Sequence, residues 1–106
     1  MKIKVPKQIT VGSMTYGIVL TPNLEKHHHL LGQCLTDEGL IKIEPHSRAD
    51  VRDQSLMHEL VHAINDIFMC KLDEDNIERI AQGLTATLKR DFCVEFDWSL
   101  IEEERK

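Results

Sequence analysis

The chain has 106 residues, of which 42% are hydrophobic and 29% are charged. This length fits one domain, and the apolar content is too high for an intrinsically disordered chain. The 13 Lys and Arg residues and 18 Asp and Glu residues give a formal charge of −5. That balance argues against binding to nucleic acid or to an anionic membrane, because both require a positively charged surface.

Three further features bear on the compartment of the protein. The apolar runs fall far short of the roughly 20 residues that span a bilayer, and Lys4 and Lys7 interrupt the stretch in which a signal-peptide core would lie. The cysteines Cys34, Cys70 and Cys93 are widely separated and form no CxxC pair. We therefore expect reduced thiols, neither disulfides nor a cysteine zinc site, and a cytoplasmic location.

The first half of the chain has strand patterns. Residues 1–11 read as an extended segment broken by Pro6, and Met14–Leu20 is rich in aromatic and β-branched residues. Residues 25–30 are polar and are predicted to form a loop. Residues 31–36 and 39–44 flank an Asp-Glu pair, which predicts a β-hairpin.

The second arm of this hairpin alternates polar and apolar residues from Leu40 to Glu44. Such alternation is typical of a half-buried strand, and we expect this one to lie at a sheet edge. An edge strand beside a cleft could hold an extended peptide by β-augmentation, because its main-chain groups are free to pair. The exposed charges of Lys42 and Glu44 could equally serve to prevent strand aggregation.

The second half changes to a helical period. The apolar residues between Val51 and Met69 fall in one broad stripe of an amphipathic helix. A second helix should begin near Asp73, where acidic residues suit the positive end of the helix dipole. The short break between the two helices predicts that they run antiparallel. We therefore predict a single α+β domain over 1–106, mainly β in 1–46, with two helices in 47–90 and a C-terminal tail in 91–106.

The stretch His58-Glu59-Leu60-Val61-His62 is an HExxH motif. Two imidazoles at i and i+4 of a helix project from the same side and can share one zinc ion. Glu59 follows the first histidine, where it can reach a water molecule at the metal and act as general base. The helical wheel places these three residues opposite the apolar stripe, together with Asn65 and Asp66, which could orient His62 or be solvated.

A catalytic zinc site usually has a third protein ligand. The acidic candidates in the second helix are Asp73, Glu74, Asp75 and Glu78. Glu78 is the deepest of them, which matches the depth of His62 in the first helix, so we assign it as third ligand with Glu74 as its main rival. Asp73 and Asp75 are better explained as capping and dipole residues.

The HELVH motif, followed by an acidic residue in NIERIAQGL and preceded by the strand IKIEP, is similar to the gluzincin side of the zincin metallopeptidases. More closely, the chain resembles small HExxH proteins of phages and prophages, and distantly the ImmA/IrrE-type metallopeptidases. The resemblance implies a minimal zincin-like domain in which a curled antiparallel sheet packs on the HExxH helix. It also implies zinc binding through His58, His62 and Glu78, with Glu59 as catalytic base.

From these observations we expect a zinc metallopeptidase in the cytosol of a bacterium or a phage-infected host, with a peptide or protein substrate. The alternative is a zincin-fold regulatory or interaction protein that binds zinc and has little or no protease activity. Oxyanion stabilisation supplies much of the rate of such reactions. The available donors are Tyr16, His46 and the run from His27 to His29, and none of them clearly matches the stabilising residue of the larger zincins.

Overall fold

A computed structural model describes residues 1–104 of the chain. Its strands are β1 (Lys2–Lys4), β2 (Gln8–Val11), β3 (Met14–Leu20), β4 (Gly32–Leu35), β5 (Leu40–Ile43) and β6 (Glu95–Asp97). Its helices are α1 (Leu24–His28), α2 (Ala49–Phe68) and α3 (Glu74–Arg90), and a 3-10 turn over Thr36–Glu38 joins β4 to β5. The predicted α+β class and the two main helices are confirmed.

The main sheet has four strands in the order β2-β3-β5-β4. β2 and β3 form an antiparallel hairpin, and so do β4 and β5, but β3 and β5 run parallel. The sheet is therefore mixed, and the expectation of an antiparallel sheet was wrong. After β3 the chain first crosses through α1 to the far edge as β4. It then turns back as β5 between β3 and β4, which gives β5 the direction of β3.

This order also corrects the expected position of the strand from Leu40 to Glu44. β5 is an inner strand with a partner on each side, and Ile41 and Ile43 are fully buried. The free edge on that side of the sheet belongs to β4, which residues 31–36 were expected to form. Alternation of polar and apolar residues reports which face of a strand is buried, but not how many strands flank it.

Residues 25–30 are not only a loop, since α1 covers the first part of this segment. Leu24, the first residue of α1, is buried. The carboxylate of Glu44, also buried, accepts hydrogen bonds from the main-chain N–H groups of Glu25 (3.1 Å) and His46 (3.2 Å). The side chain of Glu44, which is distant in sequence, thus accepts a main-chain N–H group in the first turn of α1. No local sequence pattern could have revealed this contact.

α2 lies between the sheet and α3. The residues of α2 that face the sheet pack against its inner face. Together with the strand residues they form one core cluster, which includes Tyr16, Ile18, Ile41, Ile43, Leu56 and Ala63. A second cluster of Met57, Val61, Ile77 and Ala81 joins α2 to α3. The contacts between the two helices run in opposite order along them, from Asp53 with Lys89 to His62 with Glu74, so the helices are antiparallel as predicted.

Local signals set the ends of these helices. Asp73 is the N-cap of α3, and its carboxylate accepts the N–H of Asn76 at 2.8 Å, as expected of an aspartate at this position. α2 ends at Phe68, and its C-cap residue Met69 adopts a left-handed backbone conformation with φ of 52°. None of the helices in the described part of the chain is both long and apolar enough to cross a membrane.

The two ends of the described chain pack beside each other. β1 and β6 pair in parallel, and the N–H of Val5 donates to the carbonyl of Asp97 at 2.8 Å. Beyond β6, the indole Nε1 of Trp98 donates to Oδ1 of Asp53 on α2 at 2.7 Å. The segment 91–104 is therefore fixed to both the N-terminal strand and the first main helix.

Candidate metal centre

A cleft of about 890 Å³ lies between the edge strand β4 and the helix pair. α2 presents His58, Glu59 and His62 to this cleft, and its opposite side packs in the core. This is the two-sided arrangement that the helical wheel predicts. α3 contributes Glu74 and Glu78 to the facing wall.

The two imidazoles of the motif converge on one carboxylate. Their ring centroids are 4.9 Å apart. Nε2 of His58 lies 2.7 Å from Oε1 of Glu74, and Nε2 of His62 lies 3.0 Å from Oε2 of the same residue. One ligand atom from each of the three residues lies within 4.8 Å of the other two.

This donor set fits a divalent cation. Imidazole nitrogen and carboxylate oxygen are both ordinary ligands of zinc, at about 2.0–2.2 Å from the ion. Neighbouring ligand atoms of a tetrahedral site with such bonds are about 3.3 Å apart. The Nε2–Oε contacts of 2.7 and 3.0 Å would therefore have to open by about 0.6 and 0.3 Å.

The structure brings Glu74, and not Glu78, to the point where the imidazoles meet. Glu78 lies on the other side of the first ring, with its Oε2 2.7 Å from Nδ1 of His58. The depth argument favours Glu78, one helical turn further along α3, and that assignment stays a prediction. Because Glu74 is the first residue of α3 and only five residues separate the two helices, its side chain already reaches back to His62.

Glu78 instead has the geometry of a residue that orients a ligand. A histidine that binds a metal through Nε2 generally donates its Nδ1–H to a carboxylate or carbonyl, which fixes the ring and its tautomer. The amide groups of Gln54 (3.3 Å) and Gln82 (3.2 Å) donate to Oε1 of Glu78 and hold its carboxylate in place. Neither glutamine was singled out from the sequence.

Glu59 is buried between α2 and β4, with only 7% of its surface exposed. The pKa of its carboxyl is raised to about 7, chiefly by burial; the neighbouring His58 lowers this pKa, and the carboxylates of Glu74 and Glu78 contribute to raising it. A carboxyl with a pKa near neutrality can both accept and release a proton under physiological conditions, which is what a general acid-base requires.

Gly32 makes room for this carboxyl, and the sequence analysis did not identify it. A Cβ atom at Gly32 would lie 3.0 Å from both Cγ and Oε2 of Glu59 and 3.2 Å from Cδ1 of the fully buried Ile43. A glycine within a predicted strand is a known sign of close approach by another group. That sign was present in the sequence at the start of the predicted hairpin.

The residues expected to orient His62 have other partners. Oδ1 of Asn65 accepts the N–H of Leu72 at 2.9 Å in the turn between the helices. Oδ2 of Asp66 accepts a hydrogen bond from the hydroxyl of Thr36 at 2.7 Å. Both side chains thus join elements of the fold, and the only orienting carboxylate that the described residues give the motif is that of Glu78.

The candidate oxyanion donors are mostly outside the cleft. Tyr16 is fully buried, with its hydroxyl 3.1 Å from that of Thr36. His46 does not line the cleft, and of the three adjacent histidines only His29 does. Cys34 also lines it, but burial raises the pKa of its thiol to about 11, so it stays protonated at neutral pH and is a poor nucleophile or ligand.

Comparison of the chain with protein-family models, with curated proteins and with solved structures gives no match.

The close approach of Glu59 to Gly32 predicts opposite effects for two glycine substitutions. Gly32→Ala should lower the free energy of unfolding by about 1 kcal/mol or more, because the new methyl group overpacks a site bounded by Glu59 and Ile43. Gly83→Ala is the matched control: it lies inside α3 with nothing near its added Cβ, and should raise stability by about 0.5–1 kcal/mol. Urea denaturation measures both, and a stabilising Gly32→Ala would contradict the packing described.

The two glutamates of α3 can be separated by metal affinity. Glu74→Gln should weaken binding of a divalent cation more than Glu78→Gln does, because it removes a ligand. Loss of an orienting carboxylate costs about 10–100-fold in affinity. Asp75→Asn, an exposed neighbour in the same first turn, should leave the affinity unchanged. Competition with a chromogenic chelator measures all three, and a larger loss for Glu78→Gln would reinstate Glu78 as third ligand.

Proposed function

We propose that this chain is a zinc-dependent metallopeptidase that hydrolyses a peptide bond in the cleft between β4 and the helix pair. One observation carries the proposal: the Nε2 atoms of His58 and His62 and the carboxylate of Glu74 converge beside the buried carboxyl of Glu59. Two histidines and one carboxylate form a common ligand set of catalytic zinc. Such a set leaves a coordination position for water or substrate.

Zinc bound by these ligands would supply Lewis acidity toward a carbonyl oxygen and toward water. The residues of the chain carry out the proton transfers. Glu59 takes a proton from the attacking water, since it is the one buried carboxyl among the described residues that line the cleft and has a pKa of about 7. It then delivers that proton to the leaving amine as the C–N bond breaks, and the carboxylate is restored.

The substrate strand would lie along β4 and not along β5. The carbonyl of Leu31 accepts the N–H of Glu44 at 2.9 Å, which makes this the hydrogen-bonded type of antiparallel pair. In an antiparallel ladder, hydrogen-bonded pairs alternate with pairs that are not hydrogen-bonded. Gly32 and Cys34 belong to the second kind, so their main-chain N–H and C=O groups point away from β5. These groups are available to pair with an extended peptide in the cleft. The peptide would thus bind by β-augmentation, with the edge strand β4 as its partner.

One observation favours the alternative of a zinc-binding regulatory protein. Among the described residues, the lining of the cleft has no tyrosine and no arginine, so the side chains best suited to stabilise a developing oxyanion are missing from it. We retain hydrolysis as the leading proposal because the buried carboxyl of Glu59 lies beside the ligands and has no hydrogen-bond partner among the described residues. A reducing, cytoplasmic setting suits the three free thiols.

Two substitutions test the proposal. Glu59→Gln should lower the rate of peptide hydrolysis by about 10²–10⁴-fold, the usual contribution of a general base, with zinc still bound at one ion per chain. His62→Ala should lose both zinc and hydrolysis, because it removes a ligand. Metal content by mass spectrometry and turnover of a fluorogenic peptide library give the two readouts. Undiminished hydrolysis by Glu59→Gln would exclude the mechanism, and no turnover by the zinc-loaded wild type would favour the regulatory alternative.

A further inference from the structure

The cleft continues past His58 toward the start of α2 and the end of α3, and it has a basic residue at that end. Lys89 lines the cleft. It is the only Lys or Arg among the lining residues that the structure describes, and the other charged groups there are Asp50, Glu59, Glu74 and Glu78. We call this extension of the cleft the Lys89 compartment, bounded by Ser55, Thr85, Ala86 and Lys89.

Lys89 is held in place by a buried acid. Its Nζ lies 2.5 Å from Oδ2 of Asp53, whose side chain is 6% exposed, while the side chain of Lys89 is 34% exposed. Oδ1 of Asp53 accepts the indole N–H of Trp98 at 2.7 Å. Both oxygens of the acid are therefore occupied and out of reach, whereas an ammonium group has three donors and only one of them contacts Asp53.

Among the polar groups around the compartment, the ammonium group of Lys89 is the main charged hydrogen-bond donor. The hydroxyls of Ser55 and Thr85 donate to carbonyls of their own helices, at 2.8 and 2.7 Å. The amide groups of Gln54 and Gln82 are directed at Glu78. Ala86 is small and leaves space beside these groups. Among the described residues, Asp53 is the one hydrogen-bond partner of the Lys89 ammonium group, so further N–H donors of this group would be available to an incoming polar group.

We propose that the Lys89 compartment binds a carboxylate of a peptide ligand, either an acidic side chain or the C-terminal carboxylate. This inference rests on the proposed function, since it takes the cleft to be a peptide site. Asp53 lies five residues before His58 on α2, or about 7.5 Å along the helix axis. An extended peptide advances about 3.3 Å per residue, so the carboxylate would lie two or three residues from the bond at the metal centre.

Calorimetry with the full chain carrying Glu59→Gln and loaded with zinc tests this without hydrolysis. The ligands are C-terminally amidated alanine octapeptides with one glutamate at each position in turn, and matched peptides with glutamine. The all-alanine octapeptide with a free or an amidated C-terminus forms a second pair. We expect about tenfold tighter binding of the carboxylate member at one position, typical of one charge-assisted hydrogen bond.

Lys89→Met in the same background should abolish this preference and leave the affinity for the glutamine peptides within about twofold. Because Lys89→Met leaves the buried Asp53 without its cation, the double variant with Asp53→Asn removes both charges and should behave in the same way. Lys89→Arg should keep the preference. Arg90→Met, at the next, exposed position of α3, is the matched control and should also keep it.

Equal binding of every matched pair, no octapeptide binding at all, or a preference that survives Lys89→Met would each overturn the inference. The outcome is separable from that of the proposed function. A preference that depends on Lys89, combined with no hydrolysis of any octapeptide by the wild-type chain, would retain the compartment and reject the peptidase. Hydrolysis without a preference for carboxylates would do the reverse.

Discussion

The contact on which the site depends is the one between α2 and α3 at His62 and Glu74. Two helices that pack antiparallel place a residue of the first turn of one opposite the last turns of the other. Glu74 is therefore held where its two oxygens reach two imidazoles at 2.7 and 3.0 Å. The second core cluster, from Met57 and Val61 to Ile77 and Ala81, fixes this pairing. Apolar packing on one side of the helix pair thereby sets the polar geometry on the other.

The site also concentrates negative charge. Glu59, Glu74 and Glu78 surround two imidazoles, and a carboxyl that is buried among like charges is held there at a cost in stability. Such arrangements are found chiefly where a protein has a functional use for them. A divalent cation bound by the Nε2 atoms would offset this charge. The acidic groups and the histidines are thus complementary parts of one centre.

Much of the molecule could be predicted from its sequence because the signals are local. The 3.6-residue period predicts α2 and α3, and the acidic turn with Asp73 predicts where α3 begins. The HExxH spacing predicts that His58, Glu59 and His62 share one face of α2. What could not be predicted depends on contacts between distant segments. The inner position of β5 follows from how the chain returns to the sheet. The formation of α1 is supported by Glu44, distant in sequence. The choice between Glu74 and Glu78 as third ligand depends on the register in which α2 and α3 pack, because the two residues lie only about one helical turn apart.

Zinc-edge X-ray absorption of the purified chain, together with its metal content, tests the central claim most directly. The account predicts one zinc ion per chain with two imidazole nitrogens and carboxylate and water oxygens, at bond lengths of about 2.0–2.2 Å. A chain that takes up no stoichiometric metal would contradict it. A bound ion whose coordination shell contains sulfur, or contains no imidazole nitrogen, would also contradict it. Neither coordination shell can be built from the side chains of His58, His62 and Glu74.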